Sequence, residues 1–110
     1  MPDPRFARSF IKAVMADTGA SLVVLSYEAA SRAGLSPQSL DYSGIARTAN
    51  GAARVAPITL SKVRVADITV RNVPAAVAER GALPINLLGM SFLGRLRRFE
   101  MRGQELILEQ

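Results

Sequence analysis

Short apolar segments, each bounded by residues that favour turns, recur along the whole chain. Most hold only about four to eight residues and are rich in Val, Ile and Leu, which favours strands over helices. The segments predict strands over residues 9–16, 22–25, 45–49, 52–60, 62–73, 84–89 and 105–109. Ser26 and Ser91 are each expected to cap a short helix, the first ending at Gly34. One or two short helices among many short strands predict an all-β barrel or sandwich.

Two interruptions of the strand pattern predict hairpins. Asn50-Gly51 lies between two extended segments and is typical of a type I′ turn. At Ala66-Asp67 the alternation of residues 62–73 changes register, which indicates a second tight hairpin or a bulge. Pro57 should place its strand at a sheet edge or a bulge, because proline donates no backbone hydrogen bond. Residues 75–82 are expected to form a loop or a short helical turn.

Length and composition fit one globular domain with an aliphatic core. The chain has 110 residues, of which 49% are apolar and only 5% aromatic. Residues 1–8 are polar and broken by proline, so we expect a loose N-terminal arm and a domain over residues 9–110. No apolar run reaches the ~20 residues of a transmembrane helix, so no membrane segment is predicted in this chain. Because Cys and His are absent, thiol chemistry, disulfides, Cys/His metal sites and histidine bases are excluded.

The basic charge raises the question of a nucleic-acid partner. The formal net charge is +5, and Arg95, Arg97, Arg98 and Arg102 could contact phosphates. However, few aromatic residues are available to stack on bases. We therefore favour a surface that is basic without a special role, and we predict no nucleic-acid partner.

One carboxylate lies inside an otherwise apolar stretch of the sequence. Asp17 follows Val14-Met15-Ala16 and precedes Thr18-Gly19-Ala20-Ser21, after which the chain becomes aliphatic again. Burying a lone carboxylate is costly unless another group pairs with it. A purely structural interpretation makes Asp17 the hydrogen-bonding centre of a turn. A functional interpretation makes it a catalytic acid or base, a role that this chain could fill only with Asp, Glu, Lys or Tyr.

The motifs in their order along the chain favour the functional interpretation. D-T-G-A-S at residues 17–21 is followed by the hairpin Thr48-Ala49-Asn50-Gly51 and then by L-L-G-M-S-F-L at residues 87–93. The last predicted strand contains Leu106-Ile107-Leu108 and completes this order of motifs. Together these segments resemble the retropepsin-type aspartic proteases, and in particular the small bacterial members with a retroviral-like fold. The resemblance covers roughly residues 10–110.

The resemblance implies a small closed barrel with a flap hairpin, acting as a homodimer. Each protomer would supply one Asp17, so that dimerisation would build the active site. Two carboxylates in contact cannot both ionise cheaply and would share a proton, one of them activating a water that attacks a peptide bond. Thr18 and Gly19 would complete the catalytic loop. The family needs neither a metal nor a cofactor.

The same resemblance implies the residues that would bind a peptide or protein substrate. Ala20 and Ser21 would contact its main chain, and Thr48, Ala49, Asn50 and Gly51 would form the flap that closes over it. Ile85 and Leu87 would line its side-chain pockets, so that cleavage would favour apolar residues. Leu88 and Gly89 would pack beneath the Asp17 loop. Ser21 and Leu22 replace acidic residues of the retroviral enzymes, so the main-chain contacts must differ.

Two alternatives to the protease interpretation remain open, and the less favoured of them is a basic β-module that binds nucleic acid. A protein with this fold could bind peptides, or merely dimerise, without cutting them. The cell compartment is also unassigned, because bacterial relatives suggest the periplasm or a membrane anchor, whereas this chain holds no anchor segment.

Overall fold

A computed structural model describes residues 14–48, 51–65, 67–102 and 105–110. The predicted arm over residues 1–8 lies outside these ranges, as does most of the strand predicted over residues 9–16. Within them, the elements in chain order are β1 (Val14–Ala16), β2 (Val23–Leu25), α1 (Tyr27–Arg32), a 3₁₀ helix (Pro37–Ser39), β3 (Gly44–Thr48), β4 (Gly51–Val65), β5 (Ile68–Ala78), β6 (Asn86–Leu88), α2 (Met90–Leu93), β7 (Arg98–Arg102) and β8 (Glu105–Glu109).

Six of the strands form one sheet, which curls into a half-barrel. Their order is β1-β6-β2-β5-β4-β3, so that β1 and β3 form its two ends. The β1–β6 and β2–β5 pairs are parallel, and the other pairs are antiparallel. Strands β7 and β8 form a separate two-stranded sheet. The predicted mostly β fold with two short helices is confirmed. Neither helix is long and apolar enough to cross a membrane, within the part of the chain that the structure describes.

Both predicted hairpins fall between consecutive strands. In the β3–β4 hairpin Thr48 pairs with Gly51, so Gly51 is the first residue of β4 and not part of the turn. Gly51 has φ +108°, a backbone conformation that favours glycine. Ala49 and Asn50 lie outside the described residues. In the β4–β5 hairpin Val65 pairs with Ile68, which settles the register break at Ala66-Asp67 as a hairpin rather than a bulge.

The prediction of a loop or helical turn over residues 75–82 is wrong for residues 75–78 and agrees with the structure only for residues 79–82, which form a turn. Residues 75–78 belong to β5 and are buried, because they lie between β2 and β4 in the sheet. Alanine-rich sequence is a weak strand signal, and this pairing overrides it. The expected edge position of Pro57 is confirmed, since β3 pairs with β4 only as far as Val55.

The core is aliphatic and lies on both faces of the sheet. Val23 and Leu25 of β2 contribute to the larger apolar cluster, which also contains Phe92 of α2 and receives side chains from β7 and β8. Val24, between them, belongs to a second cluster with Val55, Ala76, Ala78, Leu83 and Leu87. All three residues of β2 are therefore buried, as expected for a central strand covered on both sides.

A buried polar contact joins the start of α1 to β6. Ser26 caps the helix as predicted, because its hydroxyl accepts a hydrogen bond of 3.1 Å from the Ala29 N–H. The N–H of Ser26 itself donates to the Asn86 side-chain oxygen over 2.9 Å. Both Ser26 and Asn86 are buried. Asn86 thus satisfies a backbone donor that cannot reach water.

We expect Asn86→Ala to lower the free energy of unfolding by about 1–3 kcal/mol, because the buried Ser26 N–H loses its acceptor. Urea denaturation followed by circular dichroism measures this change. Gln38→Ala, at an exposed position of the 3₁₀ helix, serves as the control and should change stability by less than about 0.5 kcal/mol. Equal stability of the two variants would contradict the assignment.

Candidate active site

Asp17 begins a tight loop at the end of β1, and backbone groups hold it on both sides. Its N–H donates to the Leu88 carbonyl over 3.1 Å, and its carbonyl accepts from the Ala20 N–H over 3.1 Å. The Gly19 N–H donates to the Asp17 carboxylate oxygen Oδ1 over 2.9 Å. Asp17 is only 4% exposed in the single chain. The buried carboxylate therefore has a fixed position with an amide dipole directed at it.

The remainder of the loop is tied to the junction between β6 and α2. The Met90 N–H donates to the Ala20 carbonyl, and the Ser91 N–H donates to the Ser21 carbonyl, each over 2.8 Å. The Ser91 hydroxyl in turn accepts from the Val23 N–H over 2.9 Å. The prediction that Ser91 caps α2 is wrong: the helix begins after Gly89, and the Ser91 side chain serves the Asp17 loop instead.

Gly89 permits this close approach of two backbone segments. A Cβ atom added at Gly89 would lie 2.0 Å from the Leu22 carbonyl oxygen and 2.7 Å from that of Ala20. No side chain fits there without moving the Asp17 loop. The predicted packing of Leu88 and Gly89 beneath that loop therefore corresponds to a direct backbone contact, which explains the L-L-G sequence in physical terms.

A cleft of about 390 Å³ lies between the Asp17 loop and the β3–β4 hairpin. Its lining consists of Gly19, Ala20, Ser21, Leu22, Val24, Gly44, Ile45, Ala46, Arg47, Val55 and Pro57. The structure thus brings three of the predicted loop residues, Gly19, Ala20 and Ser21, together with strands β3 and β4, which lead into and out of the predicted flap. Thr18, Gly19 and Ser21 are exposed, whereas Ala20 is buried. A volume of this size is typical of a small ligand site.

Other predicted residues lie elsewhere. Leu87 is fully buried in the second apolar cluster, and Ile85 packs against the same cluster, so neither lines the cleft in the single chain. They support its wall indirectly, because Val24 and Val55 belong to that cluster and also line the cleft. Gly51 lies exposed at the start of β4.

Four residues of β3 form one wall of the cleft, the β3 wall, and were not predicted as site residues: Gly44, Ile45, Ala46 and Arg47. The alternation of small and larger residues in this strand is the signal that was available. Among the described residues that line the cleft, Arg47 is the only charged one. Within the described ranges, no group of three or more acidic side chains is arranged to hold a metal ion.

Comparison with known proteins agrees with this geometry. The family model of the gag-polyprotein putative aspartyl protease matches residues 11–95. The match spans most of the chain, so the protein belongs to this family of retropepsin-like aspartic proteases. The resemblance drawn from the D-T-G-A-S and L-L-G motifs is thereby confirmed.

A solved structure gives the same assignment, and two uncharacterised proteins are similar in sequence. The crystal structure of a retropepsin-like aspartic protease from Rickettsia conorii superimposes with a TM-score of 0.67 and 37% sequence identity, over 86% of this chain and 68% of that one. An uncharacterised protein encoded in the cobV 5′ region of Sinorhizobium sp. is 45% identical over 95 residues, and one from Rickettsia prowazekii (strain Madrid E) is 40% identical over 94. Those matches cover 86% of this chain but only 41% and 40% of the two relatives.

We expect Gly89→Ala to lower the free energy of unfolding by about 3 kcal/mol or more, because its methyl group would overlap the Leu22 carbonyl. Urea denaturation measures the loss. Gly34→Ala is the matched control: Gly34 has φ +79° but open space around an added Cβ, so it should lose only about 1–2 kcal/mol from backbone strain. If the two variants lose the same amount, the steric argument fails.

Proposed function

We propose that the protein is an aspartic endopeptidase whose active site forms from two copies of the chain. The observation that carries the proposal is the Asp17 carboxylate, buried and held by the Gly19 N–H at the edge of a cleft. No Asp or Glu is among the described residues that line that cleft, and Asp17 precedes the lining residues Gly19 and Ala20 in the same loop. The second carboxylate that the proposed reaction needs would be Asp17 of the other copy in a symmetric dimer.

In the proposed reaction one Asp17 carboxylate takes a proton from a water molecule, whose oxygen attacks the peptide carbonyl carbon. The partner carboxyl group, which is protonated, donates its proton to the carbonyl oxygen. As the tetrahedral intermediate collapses and its carbon–nitrogen bond breaks, one of its hydroxyl groups returns a proton to the ionised carboxylate, and the departing amine takes a proton from the other carboxyl group. The products are a carboxylic acid and an amine. Thr18 and Gly19 keep the two loops in register.

The substrate is proposed to be an extended peptide that adds as a strand between the Asp17 loop and the β3–β4 hairpin. Ala20 and Ser21 would face its main chain from the loop. Thr48, Ala49, Asn50 and Gly51 would form the flap that covers it. Ile85 and Leu87 would support the apolar side of the cleft, consistent with a preference for apolar residues at the cleavage site.

We expect Asp17→Asn to reduce peptide cleavage by at least about a hundredfold, because it removes the group that exchanges protons. The side-chain oxygen of Asn can still accept from the Gly19 N–H, so the loop should remain folded. Mass spectrometry of a mixed peptide library, incubated between about pH 3 and pH 7, measures cleavage. Asp41→Asn, at an exposed carboxylate outside the cleft, is the control and should keep wild-type activity.

Light scattering in the same buffers tests the dimer. Activity should rise with the fraction of dimer. A well-folded wild-type dimer that cuts nothing would overturn the proposal and favour the non-catalytic, peptide-binding alternative.

A further inference from the structure

Strand β3 forms one wall of the cleft and is also the end strand of the six-stranded sheet. It pairs with β4 on one side only, among the described residues. Its other edge therefore offers backbone donors and acceptors to an extended peptide lying in the cleft. A peptide bound there would place its side chains beside those of β3, alternately on the two faces.

The two faces of β3 differ in character. Ala46 pairs with Ala53 of β4, and both are half-buried against the second apolar cluster. On the opposite, solvent-facing side lie Ile45 and Arg47, which are exposed. Ile45 is 59% exposed, although isoleucine is among the residues most often buried. The large residue of the strand thus faces outward and the small one inward, the reverse of the usual arrangement.

Arg47 lies two residues beyond Ile45 on the same face. Within the part of the chain that the structure describes, it is the only charged residue that lines the cleft, and no ion pair there involves it. The loop residues on the other side of the cleft, Gly19 and Ser21, carry no charge. An acidic side chain in the cleft would therefore find Arg47 as its counter-ion and no carboxylate of the lining opposing it.

We propose that Ile45 and Arg47 act as specificity-determining residues that select peptides carrying an acidic side chain two positions from an apolar one. Cross-strand neighbours on one face of a sheet interact directly, and opposite charges or apolar pairs at such positions are favourable. Side chains two residues apart in the peptide would meet Ile45 and Arg47 together. This inference rests on the proposed function and adds to it the class of peptide that the cleft would bind.

The test compares peptide pairs that differ only in Glu or Lys at the position two residues from an apolar residue. The wild-type protein should cleave the Glu peptide about two- to fivefold more efficiently in kcat/KM, the range expected for an exposed ion pair. Arg47→Glu should reverse this preference. The advantage of the Glu peptide should also shrink in about 1 M salt, where the screening length falls to about 3 Å.

Arg54→Glu provides the matched control. Arg54 pairs with Ile45 across the hairpin and is also exposed, but it lies on β4 and is not among the residues that line the cleft. The two variants have the same net charge, so general electrostatic steering changes equally in both. A Glu preference that survives Arg47→Glu, or that falls equally in Arg54→Glu, would overturn the inference and leave the protease proposal intact.

Binding to the Asp17→Asn variant tests the inference separately from catalysis. Nuclear magnetic resonance titration of this variant with the same Glu and Lys peptides gives their dissociation constants. Tighter binding of the Glu peptide, lost in the double variant with Arg47→Glu, supports the inference even if the wild-type protein cleaves nothing. Equal dissociation constants would refute it.

Discussion

The contact between Gly89 and the carbonyls of Leu22 and Ala20 is the constraint on which the site depends. It allows the start of α2 to approach the Asp17 loop closely enough for Met90 and Ser91 to donate hydrogen bonds to it. The same junction places the Leu88 carbonyl against the Asp17 N–H. Because these bonds are made mostly by backbone groups, the position of the carboxylate depends on the geometry of the fold more than on neighbouring side chains.

That geometry also connects the two apolar clusters to the Asp17 loop and the cleft. β6 lies between β1, which leads into Asp17, and β2, which leaves the loop. Leu88 belongs to the larger cluster and Leu87 to the smaller one, whose members Val24 and Val55 line the cleft. Packing on both faces of the sheet therefore stabilises both the Asp17 loop and the part of the cleft wall formed by Val24 and Val55. A substitution in either cluster would alter the cleft without touching a substrate.

Much of this arrangement could be predicted from the sequence, because its signals are local. D-T-G-A-S marked the loop, Ser26 marked the start of α1, and the break at Ala66-Asp67 marked a hairpin. The predictions that were wrong concern residues whose structural partners are far away in the sequence. Residues 75–78 are strand because β2 and β4 flank them, and Ser91 contacts Val23 instead of capping its own helix. The β3 wall was missed because the order of the strands, which makes β3 the end of the sheet, is not encoded in any short segment.

The reversed distribution of side chains on β3 links the fold to the proposed substrate choice. In a strand that only covered a core, the isoleucine would be expected inward and the alanine outward. Here Ala46 faces the apolar cluster and leaves room in the cleft, while Ile45 and Arg47 face outward at the edge where a peptide strand would add. An exposed isoleucine does not stabilise a single chain, because apolar surface that stays in water contributes no hydrophobic free energy. The arrangement fits the proposed pairing of this edge strand with a peptide.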